Sequence, residues 1–158
     1  MRESGDNIGQ FAAVVRRYCS WAENSADPTD KDLKKVHSLL CELQLSALSL
    51  PTLDSGDTEV SVTRDDWLKV RERCQKFNID GYWKVFDAFA ESELPVFCTL
   101  SDDLADIYTD LKEGLILYDL GKVNDAVWEW RFNYFIHWGR HLTGAQTALH
   151  QYLADILV

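Results

Sequence analysis

The chain has 158 residues, of which 46% are apolar and 12% aromatic, enough to bury one core and too much for a disordered or linker-type chain. Asp and Glu number 26 against 16 Lys and Arg, a formal net charge of −10, so the surface field disfavours nucleic acid and anionic membranes as partners. A basic protein surface, a cation or a cationic small molecule fits that field, although acidity is also a common route to solubility.

The opening Met1-Arg2-Glu3-Ser4-Gly5-Asp6 leads into no apolar segment of the secretory type, and no apolar run reaches bilayer-spanning length. Cys19, Cys41, Cys74 and Cys98 are widely spaced and form no CxxC pair. They read as free thiols in a reducing compartment, and the expectation is a cytoplasmic protein without a membrane segment.

Ile8, Phe11, Val15, Tyr18 and Ala22 recur at helical spacing, which predicts an amphipathic helix over 6–24. Thr29 and Asp32 stand in capping-box spacing before a second helix, whose stripe of Leu33, Val36, Leu40, Leu43 and Ala47 runs until Leu50-Pro51. Residues 51–62 are rich in turn formers and read as a surface loop. Thr63 and Asp66 repeat the capping spacing ahead of Trp67, Val70, Cys74 and Phe77, a third helix.

The segment 82–97, YWKVFDAFAESELPVF, is crowded with aromatic residues but keeps no sustained period, and Pro95 interrupts it. An irregular aromatic strap packed on the bundle is expected there. Ser101 is placed to cap a fourth helix, with Asp102 and Asp103 in its positive first turn and Leu104, Ile107, Tyr108, Leu111, Leu115 and Tyr118 on its buried face. Gly121 closes that helix. The stretch 124–156 carries Val127, Trp130, Tyr134, Trp138 and His141 on one side and Trp128, Phe132 and Phe135 on another, which marks it as the central element. It forms one long helix or two with a kink near 139–144. The expected architecture is all-α, an up-and-down helical bundle of about five to six helices with the aromatic strap, in one domain over 1–158.

One constellation carries chemistry. Asp103, Asp106 and Asp110 lie at i, i+3 and i+7, a stripe beside the buried face of the fourth helix. His137 and His141, in HWGRH, are one turn apart and share a face with Trp130, Tyr134 and Trp138 as neighbours. A tight hairpin about Gly121 sets Asp103 and Asp106 level with His137 to His141, and Asp110 level with Arg131.

Two imidazoles and two carboxylates projecting between facing helices could hold a divalent metal, the candidate ligands being Asp103, Asp106, His137 and His141, with open positions for a water nucleophile. Without a metal, Asp-oriented histidines could work as general acid and base. A purely structural role is the competing reading, since histidines beside a core commonly donate to a neighbouring carboxylate. Asp103, Asp106, Trp130, Arg131, His137, Trp138 and His141 are the candidate ligand-binding set. Pairing of Arg131 with Asp110 or Asp106 is the plain expectation for that guanidinium. His37 and His150 have no carboxylate in register to complete a site.

The strings DDLADIYTDLKEGL (102–115), AVWEWRFNYFIHWGRH (126–141) and ALH (148–150), with YWKVFD (82–87), resemble a bacterial all-helical family filed as a domain of unknown function. The likeness is strong over the C-terminal half and rests on layout in the N-terminal half. It implies a small all-helical bacterial protein with no established activity, so no catalytic role transfers. Asp103, Asp106, Trp130, Arg131, His137, Trp138, Gly139 and His141 fall at its motif positions.

The function that follows is a binding or regulatory module whose partner, protein or small molecule, is not identified, with a homodimer as a further option. The competing classes are a metal-dependent hydrolase-like enzyme with an Asp/His site between two helices, and an immunity or antitoxin-type protein with a basic partner.

Overall fold

The computed structural model describes residues 2–157, and the side chains of 6–156. Six helices and one small sheet follow in the order α1 (Arg2–Ala22), α2 (Asp30–Ala47), α3 (Arg64–Cys74), β1 (Gly81–Lys84), β2 (Val96–Thr99), α4 (Leu100–Asp119), α5 (Val123–Ile136) and α6 (Trp138–Leu157). The all-α expectation holds. None of these helices is long and apolar enough to cross a membrane.

Helix starts follow the polar residues that satisfy otherwise orphaned backbone donors. The Thr29 amide donates to Asp32 Oδ2 at 2.8 Å, closing the capping box of α2, and Thr63 Oγ1 accepts from the Asp66 amide at 3.1 Å at the head of α3. For α4 the cap is Thr99, which accepts from the Asp102 amide, and not Ser101. Ser101 is buried inside the first turn, its amide donating to Asp80 Oδ1 at 2.9 Å. The extended backbone of β2 runs directly into the helix, so the last strand residue takes the capping role. Asp102 and Asp103 do sit in the first turn.

The central element is α4, which packs against α1, α3, α5 and α6. Helix α5 was expected there because it is apolar on nearly every side. It buries Ala126, Val127 and Trp130 but leaves Phe132, Phe135 and Ile136 exposed, so much of its apolar surface faces outward. Around α4 the core is built from Phe11, Tyr18, Leu40, Leu104, Trp130 and Trp138, all fully buried. Each such side chain removed from water contributes about 1.5–3 kcal/mol.

Two glycines allow the α4–α5 pairing. Gly121 ends α4 with φ +77°, the left-handed conformation that glycine adopts without steric cost, and the Lys122 amide reaches back to the Leu117 carbonyl at 2.9 Å. At Gly114 a Cβ would lie 2.1 Å from Trp130 Nε1, so the bare backbone is what lets the indole reach the Leu111 carbonyl at 3.0 Å.

The last helical stretch is two helices, as one of the two expected alternatives had it, but the break falls at His137 rather than at 139–144. His137 adopts φ −139°, ψ −85°, its amide still bonding to Asn133 O at 2.8 Å and its carbonyl accepting the Arg140 amide at 2.9 Å. The aromatic segment is irregular over 85–95, but its two ends form a short hairpin that the sequence did not indicate. β1 and β2 pair antiparallel in the register Gly81 to Thr99, Tyr82 to Cys98, Trp83 to Phe97 and Lys84 to Val96. Its side chains alternate, with Tyr82 and Cys98 turned toward the bundle and Trp83 and Phe97 toward solvent. The 51–62 loop lies against α4 and α5, fastened where the Val62 amide donates to Glu113 Oε1 at 2.9 Å.

Candidate functional site

The carboxylate stripe of α4 faces the histidines of the α5–α6 junction. His141 Nδ1 donates to Asp103 Oδ1 at 2.8 Å, and His137 Nδ1 donates to Asp110 Oδ2 at 2.7 Å. Asp103 and Asp110 are the buried members of the stripe, while Asp106 between them is half-buried. Each imidazole therefore has one nitrogen committed to a buried carboxylate, which leaves its Nε2 as the free one. His141 Nε2 lies 3.5 Å from Asp106 Oδ2, and the two rings meet edge to face with centroids 4.8 Å apart.

Asp106, His137 and His141 each present a ligand atom, and these atoms all fall within 4.8 Å of one another. Two imidazole nitrogens and one carboxylate oxygen suit a divalent transition ion, whose bonds to such ligands are about 2.0–2.2 Å long. His137 is 46% exposed, so its side chain could move to close on an ion. Asp103 and Asp110 stand behind His141 and His137, where each fixes the tautomer and aims the ring.

Outer partners continue the arrangement. Tyr82 OH on β1 donates to Asp103 Oδ2, and Trp67 Nε1 on α3 donates to Asp106 Oδ1 at 2.7 Å. Burial together with the Asp103 carboxylate pushes the Tyr82 phenol well above its usual range, so it is a firm donor. Lys84, next on the same face of β1, donates to the Arg140 carbonyl at 2.7 Å and pins the hairpin to α6.

Burial of His141 works against its charge. The hydrogen bond that His141 donates to Asp103 and the negative fields of Asp106 and Asp103 outweigh that burial and raise its pKa above the ordinary imidazole value. Burial also raises Asp110, with His137 opposing and Glu129 and Asp106 adding to the rise. Burial raises Glu113 and Glu129 as well, so carboxylates continue along the seam between α4 and α5. Among the described residues no Lys or Arg forms an ion pair with Asp103, Asp106, Asp110, Glu113 or Glu129. Among the described residues, the basic side chains that meet these carboxylates are the imidazoles of His137 and His141.

Of the residues singled out in the sequence, the structure brings Asp103, Asp106, His137 and His141 together and leaves the other three out. Trp130 and Trp138 are fully buried, with Trp138 Nε1 donating to the Trp130 carbonyl at 2.9 Å, and neither can touch a ligand at the surface. Arg131 does not pair with Asp110 or Asp106. Its guanidinium lies over Phe135, 5.1 Å from the ring centroid, because Asp110 is taken by His137. Counting from the Gly121 turn sets Asp110 level with Arg131, whereas the partner of Asp110 is His137 at the α5–α6 junction. Tyr82, Trp67 and the role of Asp110 went unread. Trp67 follows the buried spacing of α3, and nothing local marks its indole N–H as a carboxylate donor.

Surface clefts lie elsewhere on the molecule. One of about 620 Å³ is lined by Glu23, Lys69, Arg73, Tyr108 and Lys112, and its charges are largely paired with each other, as in Lys112 with Glu23 and Lys69 with Asp66. His37 and His150 come within 6.4 Å of each other across α2 and α6, and burial followed by the His150 charge lowers the His37 pKa.

A family described as "Domain of unknown function (DUF5063)" matches residues 2–155. Among solved structures, the crystal structure of protein BF1032 from Bacteroides fragilis is similar, with 26% identity and a TM-score of 0.76. The similarity covers 92% of this chain and 91% of that one. No curated protein matches.

Proposed function

The chain belongs to the DUF5063 family, whose function is unknown, and from that premise we propose that it is a helical binding module for a divalent transition metal. The ligands are His137, His141 and Asp106, with Asp103 and Asp110 orienting the imidazoles. The observation that carries this reading is the pair of Nδ1-to-carboxylate bonds, at 2.8 and 2.7 Å, beside a group in which Asp106, His137 and His141 each offer a ligand atom within 4.8 Å of the others. A surface ion pair needs one His and one Asp. Here each histidine is held from behind by its own buried carboxylate while a third carboxylate stands between them, which is the layout of a ligand set with its supporting shell.

Three protein ligands leave positions for water, and a bound water acidified by the metal is a nucleophile near neutral pH. The exposure of His137 favours that second reading, a hydrolase-like activity at the same centre.

The test is titration of chelator-stripped protein, purified without a metal-affinity tag, with zinc and with cobalt(II) as an optical reporter. One equivalent should bind to the wild type and none to the His137→Gln, His141→Gln double variant, with helicity unchanged by circular dichroism. Asp103→Asn should keep the stoichiometry but weaken affinity by about 10–100-fold. Failure of the folded wild type to take up stoichiometric metal at micromolar concentration would overturn the reading.

A further inference from the structure

The hairpin β1–β2 presents aromatic side chains that nothing in the fold covers. Trp83 is 68% exposed and Phe97 57%, and the register sets them opposite each other on the outward face, in edge contact at 5.4 Å. Beyond them, in the connection between the strands, Phe86 and Leu94 are exposed and Phe89 is 99% exposed. Side chains of this size bury about 150–250 Å² each, so the hairpin offers on the order of 600–900 Å² of apolar surface. That exceeds the usual largest patch on a monomer and approaches one partner's share of a standard interface, about 800 Å².

The hairpin is held in place from the other side. Tyr82 bonds to Asp103, Lys84 to the Arg140 carbonyl, and the Leu100 amide closes onto the Asp80 carbonyl at 2.7 Å. A fixed aromatic ridge loses little conformational entropy on docking.

The charges around the ridge select its partner. Asp87, Glu91 and Glu93 occupy the same connection, and none of them pairs with a Lys or Arg among the described residues. Asp87 and Glu93 accept only backbone amides of the connection itself, from Phe89 and Asp87. An apolar centre whose rim carboxylates no Lys or Arg neutralises, on a chain of net charge −10, complements a surface with apolar residues ringed by Lys or Arg. Two copies of this chain meeting ridge to ridge would instead bring six rim carboxylates together. We propose that this hairpin is the docking surface for a basic protein partner, with Trp83 and Phe97 as its anchoring side chains.

The probe is a synthetic amphipathic helix of Leu and Lys, with its Leu and Glu counterpart as control, titrated against the full chain by calorimetry. Wild-type protein should bind the Lys peptide and not the Glu peptide. The Trp83→Ser, Phe97→Ser variant, folded by circular dichroism, should lose at least about tenfold in affinity, as truncated aromatic anchors do. Neutralising the rim with Asp87→Asn, Glu91→Gln and Glu93→Gln should weaken binding several-fold. The same charge change at Asp54, Asp57 and Glu59 should not. Equal affinity for all variants would mean that bulk charge alone attracts the peptide, and would overturn the proposal. A dimer in sedimentation that the Trp83, Phe97 variant abolishes would also overturn it, by giving the ridge to a second copy.

Discussion

At the scale of single residues the seam between α4 and the α5–α6 junction is dominated by charge that burial disfavours. His141 has a raised pKa, so its contribution to stability is complete below the unfolded imidazole value of about 6.5 and is lost as pH rises through the folded value. In chelator-treated protein, His141→Gln should therefore lower the melting temperature more at about pH 5.5 than at about pH 8.5. Glu129 also has a raised pKa, chiefly from burial, with the Glu113 charge adding to it. A carboxylate of that kind opposes folding once ionised. Glu129→Gln should raise the melting temperature at neutral pH, and the gain should shrink as pH falls through the unfolded glutamate value of about 4.3 and vanish below about pH 3, where both states of the wild type hold the proton.

At the scale of elements, Gly121 and Gly114 set how α4 meets α5, and they should fail differently when changed. Gly121→Ala forces a Cβ into the left-handed region and should cost about 1–2 kcal/mol with the packing intact. Gly114→Ala places a methyl 2.1 Å from Trp130 Nε1 and should displace the indole, which near-ultraviolet circular dichroism will register as lost tryptophan signal. Chemical denaturation separates the two. The helices were legible in the sequence because Thr29 and Thr63 stand in capping spacing, and because the apolar stripes that contain Phe11, Leu40 and Leu104 each repeat at helical spacing within their own helix. The pairing of Asp103 with His141 was legible for a related reason, since a hairpin about a glycine fixes level by counting. The strands were not. Tyr82-Trp83-Lys84 alternates over too few residues to stand out among neighbouring aromatics, and its partner lies beyond Pro95. Nor was Thr99 as a cap, because Ser101 is the nearer match to the pattern and only the entry from β2 decides between them.

Across the whole molecule, metal at the proposed centre would act on folding by mass action. At a free concentration a hundred times its dissociation constant it stabilises the fold by about 2.7 kcal/mol, a rise in melting temperature of roughly 5–10 °C for a chain of this size. The His137→Gln, His141→Gln variant should show no such rise. One path of hydrogen bonds gives this a wider reach. Tyr82 belongs to the hairpin, Asp103 to α4 and His141 to α6, and the phenol, carboxylate and imidazole are joined in that order. A partner docked on the proposed ridge would therefore act on the carboxylate that orients His141, and an ion at the proposed centre would act on the seat of the ridge. The two events would then share one coupling free energy, and reciprocity would require each to change the other's affinity by the same factor. Tyr82→Phe breaks that chain at its first link and should leave two independent binding reactions in one protein.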